Sequence, residues 1–218
     1  MFEYFGARYV PSEEDEGFFA GSAVEVAPRL IGCVLHHCTG SEDTAILIAE
    51  TEAYHEGDGP THHSDSQRLA GGHVYIHGGT EKWGNGYRNM WSIDLVCGEK
   101  GHASSILIRA GVPVVGDDIM AERRKEYERA IRQRANGYQK RLCRGPCNVG
   151  EALGLHPSLD GASLFKPPFR ILRPVSPPPH LLKGPRINVS KDAHRLWRWG
   201  HPDYRPWISA PFPRDQVA

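Results

Sequence analysis

Residues 46–54, Ile-Leu-Ile-Ala-Glu-Thr-Glu-Ala-Tyr, carry the strongest structural signal in the chain. The segment opens with an apolar run rich in β-branched residues, which is typical of a buried strand. Residues two apart on a strand share a face, so Glu50, Glu52 and Tyr54 are predicted to point the same way, in line with Ile48. Burying two carboxylates costs free energy unless partners compensate them.

The carboxylate pair has two interpretations. In the first, the strand runs out into solvent, where glutamate costs nothing. In the second, it forms the edge of an active site, with one glutamate as general base and Tyr54 as a stacking surface. Spacing alone favours the first interpretation.

Composition describes a water-soluble globular protein. The 218 residues fit one large domain or two small ones, and 39% of them are hydrophobic. No apolar run approaches the roughly 20 residues of a membrane span. The first residues lack a basic segment followed by an apolar one, and five cysteines form no dense framework. We therefore expect a cytoplasmic protein in a reducing compartment.

Charge is distributed unevenly along the chain although the formal net charge is zero. Residues 1–108 contain 6 Lys and Arg against 16 Asp and Glu, whereas residues 109–218 contain 20 against 10. This asymmetry is consistent with a basic surface for a polyanion, or with two halves that neutralise each other within one domain.

Local patterns predict a mixed α and β chain. Ser22 and Glu25 have the spacing of a capping box, and Pro28 either disturbs the helix that follows or marks a new first turn. The predicted helices cover residues 23–31, 117–135 and 148–153. The predicted strands cover residues 33–37 and 44–51, as a hairpin around Gly40, and then residues 73–77, 87–97 and 104–110. Glycines 78, 79, 84 and 86 predict a flexible segment around Trp83.

Histidines and cysteines raise the question of a metal site. His55, His62 and His63 lie close in sequence to Asp58, but they form no HExxH or comparable template. Cys143 and Cys147 have no second pair to complete a closed zinc site. A polar surface loop is the simpler interpretation of the histidine-rich segment.

Several blocks together resemble the alkyladenine (3-methyladenine) DNA glycosylase family. The match runs in order over about residues 22–210. Its blocks are Leu30-Ile31-Gly32, Ala49-Glu50-Thr51-Glu52-Ala53-Tyr54, His63-Ser64, Val96-Cys97-Gly98-Glu99-Lys100-Gly101-His102, Ile106-Leu107-Ile108-Arg109-Ala110, Leu142-Cys143-Arg144-Gly145-Pro146, Gly184-Pro185-Arg186-Ile187 and Trp197-Arg198-Trp199-Gly200. The block around Glu52 and the block around Arg109 are the most specific.

The resemblance implies an α+β fold, with a single domain built around a curved, mostly antiparallel sheet and a few peripheral helices. We assign residues 1–21 to a lead-in, 22–210 to this domain and 211–218 to a tail. The family flips a damaged purine out of duplex DNA and hydrolyses its N-glycosidic bond, without a metal for the chemistry and without a lysine Schiff base. We therefore expect no cofactor and a monofunctional enzyme.

Site residues carry over by the same resemblance. Glu52 corresponds to the general base that activates water, and Arg109 to the arginine that helps hold that water. Tyr54 and His63 correspond to residues that pack around the flipped base. Tyr87 falls where the family inserts a tyrosine into the vacated space in the DNA.

The remaining implications concern partners. Basic residues of the second half, including Arg144, are expected to contact DNA phosphates, which set affinity rather than sequence preference. The expected partner is double-stranded DNA containing a damaged purine, bound by a monomer in the bacterial cytoplasm, in association with the nucleoid and not with a membrane.

Residues 65–94 depart from the family pattern. Either Tyr75 or Trp83 could supply the second aromatic wall of the base pocket. Asp94 stands where the family has an asparagine that disfavours a 2-amino group on the purine. Because an ionised carboxylate only accepts hydrogen bonds, Asp94 is expected to tolerate that amino group better, unless its charge weakens DNA binding.

Two other functions remain open. The altered 65–94 region could have abolished base excision, leaving a DNA-binding relative without catalysis. A metal-dependent hydrolase using His55, His62, His63 and Asp58 is the second possibility, and chelation would test it.

Overall fold

An antiparallel sheet of ten strands organises the chain in the computed structural model, which describes residues 2–4, 6–11, 16–56, 61–83, 86–125 and 141–213. The strands are β1 Phe2–Tyr4, β2 Ala7–Pro11, β3 Val34–Cys38, β4 Asp43–His55, β5 Val74–Trp83, β6 Gly86–Val96, β7 Ser104–Val115, β8 Phe169–Pro174, β9 Leu182–Gly184 and β10 Arg198–Gly200. Their order is β1-β2-β8-β3-β4-β7-β6-β5, and β10 pairs with both β4 and β9. The predicted α+β class and antiparallel sheet are confirmed.

Short helices surround the sheet. The α-helices are α1 Ala23–Leu30, α2 Asp117–Arg123 and α3 Pro146–Leu153, and 3-10 helices span Glu16–Phe19, Thr61–Arg68, Pro157–Leu159 and Pro202–Trp207. As predicted, Glu25 closes the start of α1 by accepting hydrogen bonds from the backbone N–H and hydroxyl of Ser22, at 2.8 and 2.9 Å. Within the described ranges, no helix has the length and apolar character needed to cross a membrane.

The main hydrophobic core lies between one face of the sheet and helices α1 and α3. Val26 and Leu30 of α1 pack there with Ile48 of β4, and Val149 and Leu153 of α3 pack against the same cluster. A smaller cluster forms on the opposite face and comprises Tyr9, Val34, Ala45, Leu47, Ala49, Val112 and Leu172. The long strand β4 therefore contributes side chains to both layers.

A β-bulge in the middle of β4 reverses the alternation of its side chains. Ile48 pairs with Gly111 and Glu50 with Ala110, which leaves Ala49 without a partner on β7. Ile48 and Ala53 consequently lie in the same core although they are five residues apart. The prediction that Ile48 aligns with Glu52 is wrong, because a bulge inserts one residue and turns the following side chains over.

The hairpin of β5 and β6 is more regular than its glycines predicted. Val74–Trp83 pairs with Gly86–Val96 along its length, so residues 78–83 belong to a strand rather than to a flexible segment. A Cβ on Gly78 would lie 2.3 Å from the Met90 carbonyl oxygen, so this glycine permits close approach of the two backbones.

Helix α2 covers the first part of the helix predicted over residues 117–135. It ends at Arg123, and Arg124 is turned into the interior with its guanidinium 3.7 Å from Glu151 of α3. Residues 126–140, which carry the rest of the predicted helix, lie outside the described residues.

The other predicted elements are confirmed with small shifts in their ends. β3 and β4 form the hairpin around Gly40, which has a φ of 84°, and α3 occupies the predicted short helix. Part of the expected lead-in belongs to the sheet, because β2 pairs with β8. The limits of the domain at residues 22 and 210 stay predictions.

Candidate active site

Strand pairing brings distant polar residues into one row across the sheet. Glu52 on β4 lies opposite Leu107 of β7, and Leu107 in turn lies opposite Asp94 of β6. Asp94 pairs with Tyr75 of β5, and on the other side Glu52 pairs with Arg198 of β10. Directly opposed residues in an antiparallel sheet point to the same face. The row therefore aligns a tyrosine and two carboxylates on the face opposite the main core.

Glu52 is fully buried and accepts three hydrogen bonds. Oε2 accepts from the Tyr54 hydroxyl at 2.8 Å and from Nη1 of Arg109 at 3.0 Å, and Oε1 accepts from the Ile187 backbone N–H at 2.7 Å. Burial raises the pKa of Glu52, while Arg109 and the two other donors partly oppose that rise. A carboxylate with a raised pKa is suited to accept a proton near neutral pH.

Glu50 shares the buried face but has different partners. Oε1 accepts from Nη1 of Arg198 at 2.8 Å, and Oε2 accepts from the backbone N–H of Ser209 at 2.6 Å. Nε of Arg109 lies 3.5 Å from Oε1 of Glu50. Arg109 therefore bridges the two glutamates. Glu50 also contacts the C-terminal segment at Ser209, and Glu52 also contacts Tyr54.

An arginine and two aromatic rings form one wall beside Glu52. The Arg186 guanidinium lies 4.8 Å from the Tyr54 ring centroid and 5.2 Å from that of Trp197. Its Nη1 donates to the Ala53 carbonyl at 3.0 Å, which fixes it to β4. Burial, followed by the nearby charge of Glu52, raises the pKa of Tyr54, so its hydroxyl stays protonated and donates to Glu52.

A second polar cluster lies along the row at Asp94. The fully buried Asp94 accepts from the Ser105 hydroxyl at 2.7 Å and lies 3.0 Å from Nε2 of His77. The Tyr75 ring stacks on His77 with centroids 5.3 Å apart. Of the two candidate aromatic residues, Tyr75 thus shares the row with Asp94 and Glu52. The side chain of Trp83 lies outside the described residues.

We predict that His77→Gln removes more stability in acid than in base. Burial lowers the pKa of His77, but the charge and hydrogen bond of Asp94 outweigh it, so the pKa lies above 6.5. The stability from this pair is present below pH 6.5 and is lost as the pH rises through the folded-state pKa. Urea midpoints at about pH 5.5 and 8.5 measure the difference. Equal losses at both pH values would contradict a charged His77.

The other predicted site residues are only partly described. Arg144 is exposed, and its Nε donates to the Ile208 carbonyl at 2.6 Å. It lines a cavity of about 210 Å³ together with Arg205. His63 lies in the 3-10 helix Thr61–Arg68 and Tyr87 lies on β6, opposite Lys82, but both side chains lie outside the described residues.

The described part of the chain shows no cluster of metal-binding side chains at the proposed ligands. Within those ranges, no three His, Cys, Asp or Glu residues come together as a metal site. Nδ1 of His55 donates to the Glu56 carbonyl at 3.2 Å, whereas Asp58 and the side chains of His62 and His63 lie outside the described residues. Cys143 is buried beside Met120, whereas Cys147 lies 3.8 Å from the Ser92 hydroxyl.

Sequence reasoning did not assign roles to His77, Arg186, Arg198 or Ser209. Both arginines stand in blocks that carry the family resemblance, yet a single arginine normally indicates an exposed side chain. The usable signal was the apolar sequence around Arg198, which lies between Trp197 and Trp199 at the start of a short strand.

Comparisons with known proteins identify a family. A family model described as "Methylpurine-DNA glycosylase (MPG)" matches residues 17–205. A Nitrosospira multiformis protein named "Putative 3-methyladenine DNA glycosylase" is 34% identical over 91% of this chain and 95% of its own length. Proteins of the same name from Rhodopseudomonas palustris and Corynebacterium glutamicum are each 36% identical, over 89% and 85% of this chain and 90% and 82% of their own lengths.

Proposed function

This chain belongs to the methylpurine-DNA glycosylase family, and we propose that it removes alkylated or deaminated purines from double-stranded DNA by hydrolysing the N-glycosidic bond. The observation that carries the proposal is the buried Glu52 carboxylate, held between Arg109 and Tyr54. A buried carboxylate next to an aromatic ring suits a reaction that develops positive charge on a sugar, and Arg109 keeps that carboxylate in place.

In the proposed reaction, Glu52 orients a water molecule and takes its proton. The water oxygen forms a bond to C1′ of the deoxyribose as the bond from C1′ to the purine nitrogen breaks, and the electron pair leaves with the base. The carboxylate also stabilises the developing oxocarbenium charge. Arg109 holds the ionised carboxylate and the water in position.

The proposed base pocket uses the aromatic row on the sheet. Rotating a nucleotide out of the duplex costs a few kcal/mol of unstacking, which an aromatic pocket offsets. We assign the two walls to Tyr54 and Tyr75, with His63 packing around the base and Tyr87 filling the space that the nucleotide leaves.

Direct attack by water is favoured over a lysine Schiff base. Among the described residues, the hydrogen-bond partners of Glu52 are an arginine, a tyrosine and a backbone N–H. We therefore propose a monofunctional enzyme. Arg144 and Arg205 flank one exposed cavity and would contact phosphates of the DNA backbone. We further propose that the enzyme acts as a monomer on nucleoid DNA in the cytoplasm.

Asp94 is proposed to select among damaged purines. His77 and Ser105 contact its two oxygens, and a carboxylate accepts hydrogen bonds, whereas the 2-amino group of a purine donates them. Asp94→Asn is expected to lower excision of 7-methylguanine relative to hypoxanthine, since only the former base carries a 2-amino group. An unchanged ratio of single-turnover rates would remove this role from Asp94.

The function is tested with a duplex oligonucleotide carrying one hypoxanthine and with DNA treated with a methylating agent. We expect release of the free base, with or without chelator, and a strand that breaks only after alkali. The undamaged duplex is the matched control. Tight, salt-dependent binding without base release would indicate a non-catalytic relative, and loss of activity in chelator would indicate a metal-dependent hydrolase.

A further inference from the structure

We infer that Arg198 is a positioning residue that, through Glu50, fixes Arg109 against Glu52. The inference rests on the proposed role of Glu52 as general base. It assigns a task to the Arg198–Glu50 pair, which the proposed reaction leaves without one.

The four side chains form a line of alternating charge. Nη1 of Arg198 lies 2.8 Å from Oε1 of Glu50, and that same oxygen lies 3.5 Å from Nε of Arg109. Nη1 of Arg109 then lies 3.0 Å from Oε2 of Glu52. All four side chains are buried, so their charges interact with little screening by solvent. A change at Arg198 is therefore transmitted to Arg109 through the shared Glu50 oxygen.

Arg198 itself is held rigidly. Its Nε donates to the Pro185 carbonyl at 2.9 Å, Nη1 donates to the Ala210 carbonyl at 3.0 Å, and Nη2 donates to the Pro211 carbonyl at 2.9 Å. The guanidinium also lies 3.8 Å from the Phe212 ring centroid. This is more anchoring than a counter-ion for Glu50 requires, and it gives Glu50 a fixed position.

Ser209 joins the same arrangement from the C-terminal segment. Its backbone N–H donates to Oε2 of Glu50 at 2.6 Å, and its hydroxyl accepts from Nε of Arg109 at 3.3 Å. Because one residue contacts both Glu50 and Arg109, the spacing between them is set by the fold. Arg109 is thereby held at a position from which it contacts the carboxylates of both Glu50 and Glu52.

Removing Arg198 and removing the charge of Glu50 should shift the pKa of Glu52 in opposite directions. Without Arg198, Glu50 loses its nearest cation, so it draws Arg109 away from Glu52 and repels the Glu52 charge, and the pKa of Glu52 rises. With Glu50→Gln, the repulsion disappears and Arg109 interacts with Glu52 alone, so that pKa falls. The double variant removes both charges, so the pKa of its Glu52 should be close to that of the wild type.

The other charged or titratable groups around Glu52 stay the same in all these variants. Among the described residues they include Tyr54 on β4, Asp94 on β6, and Arg186 beside the Tyr54 ring. Because none of them is substituted, a difference in the Glu52 pKa between variants comes from the contacts among Arg198, Glu50 and Arg109.

The test measures single-turnover excision against pH for wild type, Arg198→Met, Glu50→Gln and the double variant. We expect the midpoint of the acid limb to rise by about one pH unit in Arg198→Met and to fall in Glu50→Gln. Arg124→Met is the matched control, because it removes another buried arginine beside a glutamate, Glu151. Its midpoint should equal that of the wild type. Shifts of the same sign in the two single variants, or no shift, would overturn the inference.

A second measurement needs no activity. The carboxyl carbon of Glu52 is titrated by NMR in wild type, Glu50→Gln and Arg198→Lys, which retains a charge if Arg198→Met fails to fold. We expect a lower pKa in Glu50→Gln, and a pKa above that of the wild type in Arg198→Lys, because lysine cannot reproduce the arginine fork. If the wild type releases no base, the proposed function fails, and this titration still decides the inference.

Discussion

Glu52→Gln is expected to reduce single-turnover base release by about 10²- to 10⁴-fold, the usual contribution of a general base. Glutamine keeps the shape of the side chain but cannot take a proton from water. It also cannot accept from Arg109, Tyr54 and the Ile187 N–H together, because one of its two terminal atoms is a donor. The loss should appear in the chemical step, measured with enzyme in excess over a hypoxanthine duplex.

Glu42→Gln is the matched control for this experiment. Glu42 is exposed and pairs with Arg123 at the surface, so the same substitution there should leave the rate within about twofold. Binding of the damaged duplex by Glu52→Gln must be measured in parallel, to separate lost chemistry from lost folding. A Glu52→Gln variant that binds DNA and releases base at the wild-type rate would remove Glu52 from the mechanism.

Gly150→Ala is expected to destabilise the protein by about 3 kcal/mol or more, the upper range for overpacking a core. Gly150 lies in the buried face of α3, and a Cβ there would be only 1.8 Å from the Trp91 carbonyl oxygen. Either α3 or β6 would have to move. For a chain of this length the melting temperature should fall by roughly 6–12 °C, measured by calorimetry.

Gly79→Ala provides the comparison for that prediction. Gly79 also lies in the described sheet, but nothing is found within 4 Å of the position that its Cβ would take. Its stability should change by no more than about 0.5 kcal/mol. If Gly150→Ala and Gly79→Ala melt at the same temperature, then α3 does not pack against β6 as closely as described.

Sequence patterns predicted the strands that carry the site better than the site itself. The two-residue alternation was enough to put Glu50, Glu52 and Tyr54 on one face. It failed at Ile48, because a bulge adds one residue without any mark in the hydrophobic pattern. Glycines 78 and 79 were interpreted as flexible, although pairing with β6 holds them in a strand.

The charged contacts could not be predicted because they depend on partners that are remote in sequence. Arginine is usually a surface residue, and Arg186 and Arg198 become buried only when β9, β10 and the C-terminal segment meet β4. Within the described residues, the helix predicted to start at residue 117 is interrupted at Arg124, whose contact with Glu151 joins two different helices. Local propensity carries no information about such contacts.

The order in which the ribosome makes the chain has a consequence for the two glutamates. The partners of Glu52 and Glu50 at Ile187, Arg198 and Ser209 are 135, 148 and 159 residues further on. Strands β3 and β4 therefore leave the ribosome long before those partners exist. Until residue 209 has been synthesised, the two carboxylates of a nascent chain lack at least one of these hydrogen-bond donors. Chains that terminate earlier lack these contacts, and under the proposed mechanism we expect them to release no base from DNA.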